Sequence, residues 1–248
     1  KAFSVSANKQ VTFSPGNLQF TRSTNTWYFA KNQGDIIGLD NVTDGSVSSD
    51  PTYGDSKEGT ALADKVDLFG WSTSNSTTPF GVSTSTDDND YYGNFVDWGI
   101  NKIGNDAPNT WRTLTSDEWD YIVFARPNAS SLCGVAQVNG VNGLILLPDS
   151  WKSPDGVTFK SGFHDCFGIN DYADYQTFTA NQWSKLEATG AVFLPASGDR
   201  EGEDVVAVQF YGSYWAIYGC HLYFRSDVAD MRWFDLYDGR AVRLIKDL

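Results

Sequence analysis

Histidine and cysteine are scarce in this chain of 248 residues, and their scarcity limits the chemistry it can perform. The two histidines, His164 and His221, are far apart, and neither lies in a metal-ligand pattern such as HExxH, so both are expected to be structural or surface residues. The three cysteines show no CxxC spacing, so no zinc site is predicted. A disulfide between Cys133 and Cys166 is one possibility that the sequence leaves undecided. The odd number of cysteines leaves at least one free thiol.

Positive charge and long apolar runs are also lacking. The chain has 18 Lys and Arg against 31 Asp and Glu, a net charge of −13. This balance argues against nucleic acids and anionic membranes as partners, because both require a cationic surface. No apolar run approaches the roughly 18 residues of a membrane span, so no membrane insertion is expected. We expect a cell-surface or extracellular protein, and Lys1, which is not a natural start, suggests that a signal peptide was removed.

The C-terminal segment lacks long, flexible polar side chains. No Lys, Glu or Gln occurs between Phe210 and Ile245, and all sixteen Asn lie at or before Asn181. Ten aromatic residues occupy 210–237 instead, mixed with Arg, Asp and Ser. Rigid aromatics offer contact area at a low entropic cost, so this composition is typical of a recognition surface. It is also typical of a β-rich core, and composition leaves both interpretations open.

Periodicity predicts the α+β class and a single domain over residues 1–248. Residues 1–110 contain short strands and long polar loops, and residues 111–248 contain helices and a terminal sheet. Capping boxes that start at Thr115 and Thr179 predict two short helices, which end before Pro127 and at Gly190. Five strands are predicted in the C-terminal third, at 205–210, 213–217, 221–226, 230–234 and 241–245. The long polar loops are predicted at 38–60 and 72–93.

Three segments after residue 110 resemble motifs of a known family. Residues 111–121 read WRTLTSDEWDY, which resembles the RLPTxxEWE segment of the formylglycine-generating-enzyme-like branch of the C-type lectin fold, with TLT in place of LPT. GSYW at 212–215 is similar to its tryptophan strand, and GRAVRL at 239–244 is similar to its terminal strand. The resemblance implies a C-type lectin-like fold with two short helices. The paired apolar runs predict that 212–215 and 239–244 are neighbouring strands of a small antiparallel sheet.

The segment between the last two motifs resembles the variable region of proteins diversified by diversity-generating retroelements. There a reverse transcriptase miscopies template adenines, so AAY asparagine codons become NNY, and NNY codons cannot encode Lys, Glu, Gln, Met or Trp. From 216 to 238 every residue except Met231 and Trp233 is NNY-encodable. FSPGNLQF at 13–20 resembles surface proteins of gut Bacteroidetes that carry this domain. The resemblance implies a variable region, 212–245, on a surface protein of such bacteria or their phages; an ordinary fixed binding domain is the alternative.

Enzymatic and metal-dependent functions are disfavoured. The formylglycine-generating enzyme has a closely spaced cysteine pair near its C-terminus, whereas Cys220 stands alone there. No motif marks the carboxylate pair of a glycosidase, and the EPN or QPD loop of calcium-dependent lectins is absent. Asp87, Asp88 and Asp90 lack EF-hand spacing, so a solvated acidic loop is preferred to a calcium site. No enzyme, metal or cofactor is predicted, although sugar could stack on Trp233 or on Tyr237.

The period of two along strand 221–226 separates anchors from ligand-binding residues. Residues expected in the core are Leu222, Phe224, Met231, Val242 and Leu244. His221, Tyr223 and Arg225 are expected to be exposed on the other face, together with Tyr218, Asp227, Asp230, Arg232, Phe234, Asp235 and Tyr237. The predicted binding residues are Ile217, Tyr218, His221, Tyr223, Arg225, Asp227, Asp230, Arg232, Trp233, Phe234, Asp235, Tyr237 and Asp238. They would form a non-catalytic surface for a protein or glycan ligand on another cell, phage or host surface, and the acids among them favour a basic or polar partner face.

Overall fold

The computed structural model describes residues 1–39 and 63–248, and their secondary structure is mixed α+β, as predicted. Strands in several small sheets predominate, with few short helices. Most of the polar loop predicted at 38–60 lies outside the described residues. Within the described residues, no helix combines the length and apolar character needed to cross a membrane.

The strands of the described residues form five small sheets. Their bounds are β1 (Phe3–Ser6), β2 (Lys9–Phe13), β3 (Leu18–Thr21), β4 (Thr26–Phe29), β5 (Lys65–Val66), β6 (Cys133–Val138), β7 (Val141–Leu146), β8 (Thr177–Phe178), β9 (Val192–Pro195), β10 (Asp199–Glu201), β11 (Asp204–Val206), β12 (Tyr211–Trp215), β13 (Cys220–Arg225), β14 (Val228–Trp233) and β15 (Ile245–Asp247). The sheet orders are β1-β2-β15, β4-β3-β5, β8-β6-β7-β9, β10-β11 and β12-β13-β14. The last of these carries the C-terminal aromatic segment.

Three of the predicted C-terminal strands correspond to β12, β13 and β14, but two predictions are wrong. The strand predicted at 205–210 ends at Val206, because Ala207 and Gln209 adopt positive φ angles of 57° and 69° and turn the chain. The strand predicted at 241–245 is an extended segment of which only Ile245 belongs to a strand, β15.

The segments 212–215 and 239–244 are neighbours, as predicted, but their contact is parallel rather than antiparallel. Trp215 N donates to Ala241 O at 3.0 Å, Ala241 N donates to Ser213 O at 3.0 Å, and the bridge between Tyr214 and Ala241 is parallel. The two hairpins of β12, β13 and β14 reverse the chain twice, so β14 already runs in the direction of β12. The segment after β14 keeps that direction where it meets β12.

Both predicted capping boxes are present. Thr115 Oγ1 accepts from Glu118 N at 3.1 Å, and Thr179 Oγ1 accepts from Gln182 N at 3.3 Å. Each third-position side chain also accepts from the backbone N–H of its cap residue, so each box satisfies two otherwise unpaired donors. The helices are α1 (Ser116–Asp120), which a π-helical turn at Tyr121–Ala125 extends, α2 (Asp171–Tyr175), which was not predicted, and α3 (Ala180–Ala188).

The largest apolar cluster of the described residues draws on both parts of the chain. Phe3, Val11 and Leu68 pack in it together with Trp119 and Leu222. A second cluster is rich in tryptophan and joins Trp27, Trp71, Trp98 and Trp215. Residues 1–110 and 111–248 therefore contribute side chains to shared cores, and the C-terminal sheet is anchored in two of them.

The possible disulfide between Cys133 and Cys166 is not formed. Cys133, at the start of β6, is buried, whereas Cys166 is exposed, and both are free thiols. Burial raises the pKa of the Cys133 thiol to about 12. Cys133 is therefore a small apolar core residue rather than a nucleophile.

Candidate functional site

β13 is the central strand of the C-terminal sheet, and one of its faces lies in the largest core. Leu222 and Phe224 point into that core. Four of the five predicted anchors are fully buried: Leu222, Phe224, Val242 and Leu244. Met231 is only half-buried, contrary to the prediction, because it lies on the edge strand β14. The prediction of which residues of this segment are buried in the core is therefore mostly correct.

The prediction that His221 and Tyr223 are exposed is wrong. His221 is 1% exposed and Tyr223 is 8% exposed. The guanidinium of Arg232 lies 3.6 Å from the centre of the Tyr223 ring, and the Phe234 ring lies 5.6 Å from that of His221. Side chains of β14 and of the loop after it thus cover the second face of β13. A period of two assigns residues to faces, but it does not show whether a face is open.

His221 is a structural residue that stays neutral. Burial, together with the positive charges of Arg240 and Arg232, lowers the pKa of its imidazole to about 2. Its Nδ1 makes no hydrogen bond within the described part of the chain. The imidazole therefore has neither the pKa nor the access that a general acid or base requires at neutral pH.

The predicted charged residues of this face are largely paired with one another. Arg232 binds Asp230 in a bidentate contact, with distances of 2.7 Å from Nε to Oδ1 and 3.1 Å from Nη2 to Oδ2. Arg225 binds Asp227 in the same way, with Nη2 2.9 Å from Oδ2. All four side chains are half-buried. Because each charge already has a partner, these residues form a nearly neutral surface rather than an acidic one.

Asp238 lies in the loop after β14, and its carboxylate is also paired. Arg240 Nη2 donates to Asp238 Oδ2 at 2.8 Å, and Arg240 itself is fully buried, with its guanidinium 4.5 Å from the Trp215 ring centre. Burial nevertheless raises the pKa of Asp238 to about 7, more than Arg240 lowers it. Burial likewise raises the pKa of the neighbouring Asp199. These carboxyl groups belong to the support of the sheet rather than to its outer surface.

Three large aromatic side chains are exposed at one end of the sheet, and we call them the aromatic rim: Tyr218, Trp233 and Phe234. Their exposed fractions are 73%, 67% and 56%. Trp233 pairs with Cys220 at the start of β13, immediately after the 216–219 loop that carries Tyr218, so the three side chains share one end of the sheet. Of the other predicted residues near this end, Asp235 is exposed, and Ile217 and Tyr237 are half-buried.

The backbone at Tyr218 is strained. Tyr218 and Gly219 have φ angles of 79° and 72°, in the left-handed region that asparagine and glycine adopt most readily. Four of the other described non-glycine residues with positive φ are asparagines: Asn25, Asn109, Asn128 and Asn139. A tyrosine therefore stands at a backbone conformation for which this chain uses asparagine at four of the seven other described non-glycine positions.

The loop after β14 is held by residues from the first half of the chain. Asp88 Oδ1 accepts from Leu236 N at 2.8 Å and from Tyr237 N at 3.1 Å, and Trp71 N donates to Leu236 O at 2.8 Å. The expected solvated acidic loop is instead a structured support, because Asp87 caps a short helix at Asp88–Tyr91. The sequence carried no signal that would link Asp88 to a loop 148 residues later.

The opposite end of β13 carries a second, smaller exposed group that the sequence did not predict. The guanidinium of Arg225 lies 4.3 Å from the ring centre of Phe167, which is 58% exposed. Ser226 Oγ donates to Cys166 O at 3.1 Å and fixes this loop beside the hairpin. At about 3.3 Å per strand residue, the length of β13 separates Phe167 from the aromatic rim, so the predicted site residues do not form one continuous patch.

The arrangement offers contact surface rather than chemistry. Within residues 1–39 and 63–248, no group of three or more His, Cys, Asp and Glu side chains is placed to hold a metal ion. The exposed side chains of the aromatic rim can stack and donate hydrogen bonds. Comparisons with protein-family models, curated proteins and solved structures found no match.

Proposed function

We propose that this protein is a surface or extracellular ligand-binding protein whose aromatic rim grips a macromolecule. The observation that carries the proposal is the exposure of Tyr218, Trp233 and Phe234 at one end of a sheet whose central strand, β13, is covered on both faces. Large exposed aromatics that converge on one edge are typical of interaction sites. Because the neighbouring Arg and Asp side chains are paired, we infer that aromatic contact contributes more to binding than net charge does.

A C-type lectin-like fold of the formylglycine-generating-enzyme-like branch is the fold that we propose. The three segments that carry the resemblance are in direct contact. Trp119 Nε1 donates to Trp215 O at 3.3 Å, which joins the first segment to the second, and the 3.0 Å bond from Trp215 N to Ala241 O joins the second to the third. Motifs about 100 residues apart thus form one structural unit, which supports their common origin in one fold.

Diversification by a retroelement is supported by the turn at Tyr218. A template AAY codon would place asparagine there, followed by Gly219, and Asn-Gly suits two consecutive left-handed residues. One adenine substitution converts AAY into the tyrosine codon TAY. Replacement of a turn asparagine by tyrosine would produce both features of this position: a strained backbone and an exposed aromatic ring.

A fixed-specificity carbohydrate-binding domain of the same fold is the second candidate. Trp233 is 67% exposed, and NNY codons cannot encode it, so it would stay constant in every variant. A constant exposed indole can stack on a sugar ring without a metal ion. This candidate predicts binding that depends on Trp233 alone.

Capture experiments separate the two candidates. Wild-type protein and a Tyr218→Ser/Phe234→Ser variant would be tested on a glycan array and on intact candidate host cells, with and without EDTA. We expect the variant to lose capture, because interface aromatics often contribute about 2 kcal/mol each, and EDTA to have no effect. Phe124→Ser, which removes a ring that is 45% exposed outside the rim, should bind like wild type.

Two outcomes would contradict the preferred proposal. Capture that survives in the double variant but is lost in Trp233→Ala would favour the fixed carbohydrate-binding domain. Loss of capture in EDTA would refute metal-independent binding. A near-copy of codons 212–245 rich in AAY beside the gene would support diversification, and its absence would argue against it.

A further inference from the structure

Arg243 is buried in an unusual electrostatic setting. It is 1% exposed, and its guanidinium donates to two neutral amide oxygens, Gln33 Oε1 at 2.6 Å and Asn17 Oδ1 at 3.4 Å. Within the described part of the chain, its Nε has no hydrogen-bond partner and no carboxylate lies within ion-pair distance of it. Burial lowers the pKa of Arg243 to about 10, against the opposing effects of Tyr214 and Glu187.

Of the three other fully buried arginines, Arg126 and Arg240 show what the setting of Arg243 lacks. Arg126 Nη1 lies 3.0 Å from Asp149 Oδ1, and Arg240 Nη2 lies 2.8 Å from Asp238 Oδ2. A buried charge is costly unless it is paired. The chain thus supplies a carboxylate to Arg126 and to Arg240, whereas Arg243 receives only amide dipoles.

Arg243 is one of the residues that line a cavity, although its side chain is almost fully buried. The cavity has a volume of about 260 Å³ and is lined by Arg243 together with Phe3, Phe13 and Val192. Gln33 and Glu187 form part of its wall, where Gln33 Nε2 donates to Glu187 Oε1 at 2.8 Å. The lining therefore combines apolar side chains with one carboxylate, from Glu187, and two cationic residues, Arg243 and Lys1.

We propose that this cavity binds a small organic monocarboxylate, whose carboxylate group pairs with Arg243 and whose short apolar tail contacts Phe3, Phe13 and Val192. A guanidinium binds a carboxylate through parallel hydrogen bonds from Nε and one Nη. Because Nε is buried and Nη2 binds Gln33 Oε1, the ligand carboxylate would take the place of that oxygen to reach both donors. This site lies apart from the aromatic rim and does not depend on the function proposed for it.

Butyrate, with its neutral isostere butyramide as control, tests the proposal. Thermal unfolding of the full chain would be followed at constant ionic strength, at increasing concentrations of each compound. We expect butyrate to raise the melting temperature in a saturable way, since a ligand of the folded state stabilises it, and butyramide to have no such effect. A folded Arg243→Met variant should lose the response to butyrate.

Glu187→Gln keeps the test decisive if Arg243→Met does not fold. Glu187 is exposed on α3, and glutamine can still accept the hydrogen bond from Gln33. Removal of its charge should tighten butyrate binding about two- to fivefold. Asp120→Asn, an equal charge change outside the cavity, should leave binding unchanged. Equal responses to butyrate and butyramide, no saturable response in wild type and Glu187→Gln, or equal effects of the two charge variants would each overturn the proposal.

Discussion

β13 and β14 are neighbours with similar contents of aromatic and charged residues, yet only one of them reaches solvent. In β13, CHLYFR, the first five residues are buried, whereas in β14, VADMRW, five residues are half-buried and Trp233 is exposed. β13 has a strand on each side and side chains over both faces, while β14 is the edge of its sheet. Composition therefore identified an unusual segment. The position of each strand in the sheet determines which of its residues are buried in the support of the sheet and which are free to contact a ligand.

The largest expected effect compares one aromatic residue from each strand. Phe224→Ala on β13 should lower the free energy of unfolding by about 3–5 kcal/mol, because it empties a fully buried site. Trp233→Ala on β14 should change it by less than about 1 kcal/mol, since the ring is mostly in water. Urea denaturation of the two variants would measure both values. Similar losses in the two variants would remove the distinction between the strands.

The burial of His221 predicts a dependence of stability on pH. Its folded pKa of about 2 lies below the ordinary histidine value of 6.5, so below pH 6.5 the unfolded chain takes up a proton that the folded chain does not. The stability advantage of wild type over His221→Leu should then fall by about 1.4 kcal/mol for each pH unit below 6.5. The raised pKa of Asp238 acts in the opposite direction, but it is common to both proteins and cancels in their difference.

His164 provides the matched control for this measurement. It lies in the loop at the far end of β13, where its Nδ1 accepts from Cys166 N at 3.0 Å. His164→Leu removes a histidine outside the buried face of β13, so its pH series serves as the baseline for the comparison with His221→Leu. A difference between wild type and His221→Leu that is constant with pH would show that His221 is accessible to protons in the folded state.

Tyr218→Asn should stabilise the protein and weaken ligand capture at the same time. Asparagine adopts the left-handed conformation with less strain, so a gain of about 1 kcal/mol is expected. Loss of the exposed ring removes contact area from the aromatic rim. Thermal unfolding and cell capture would be measured on the same samples. If Tyr218→Asn is less stable than wild type, the turn is not strained as described.

The smallest expected effect concerns the paired charges on β14. Asp230→Asn breaks the bidentate contact with Arg232, but the Asp230 side chain is 44% exposed, so the loss should be under about 1 kcal/mol. Capture should weaken little, because the pair is nearly neutral as a unit. A loss above about 2 kcal/mol in urea denaturation would mean that Asp230 holds Arg232 over Tyr223 as part of a buried network.

The elements that local chemistry determines were predictable from the sequence. Both capping boxes, the strands β12 to β14 and the burial of Leu222 and Phe224 follow from short-range patterns. The exposure of His221 and Tyr223 was predicted wrongly because the side chains that cover them, Arg232 and Phe234, come from a later strand and loop.

Contacts that depend on the path of the whole chain were not predictable. Asp88 supports the loop after β14 from 148 residues away, and Phe167 meets Arg225 across a loop with no distinguishing motif. The setting of Arg243 likewise depends on Gln33 and on Glu187, which tertiary packing brings to it. In each case the residue type alone is ordinary, and only its neighbours give it a role.

The most direct test is a tolerance scan across codons 216–238. Each codon would be replaced in turn by NNY in a cell-display library sorted for folded protein, without selection for a ligand. We expect Phe234 and Asp235 to accept most NNY residues, and Tyr218 to accept most except proline and the β-branched residues, which its positive φ disfavours. His221, Leu222, Tyr223 and Phe224 should accept few. Equal tolerance at the two sets of positions would contradict the division between a buried support on β13 and an exposed aromatic rim.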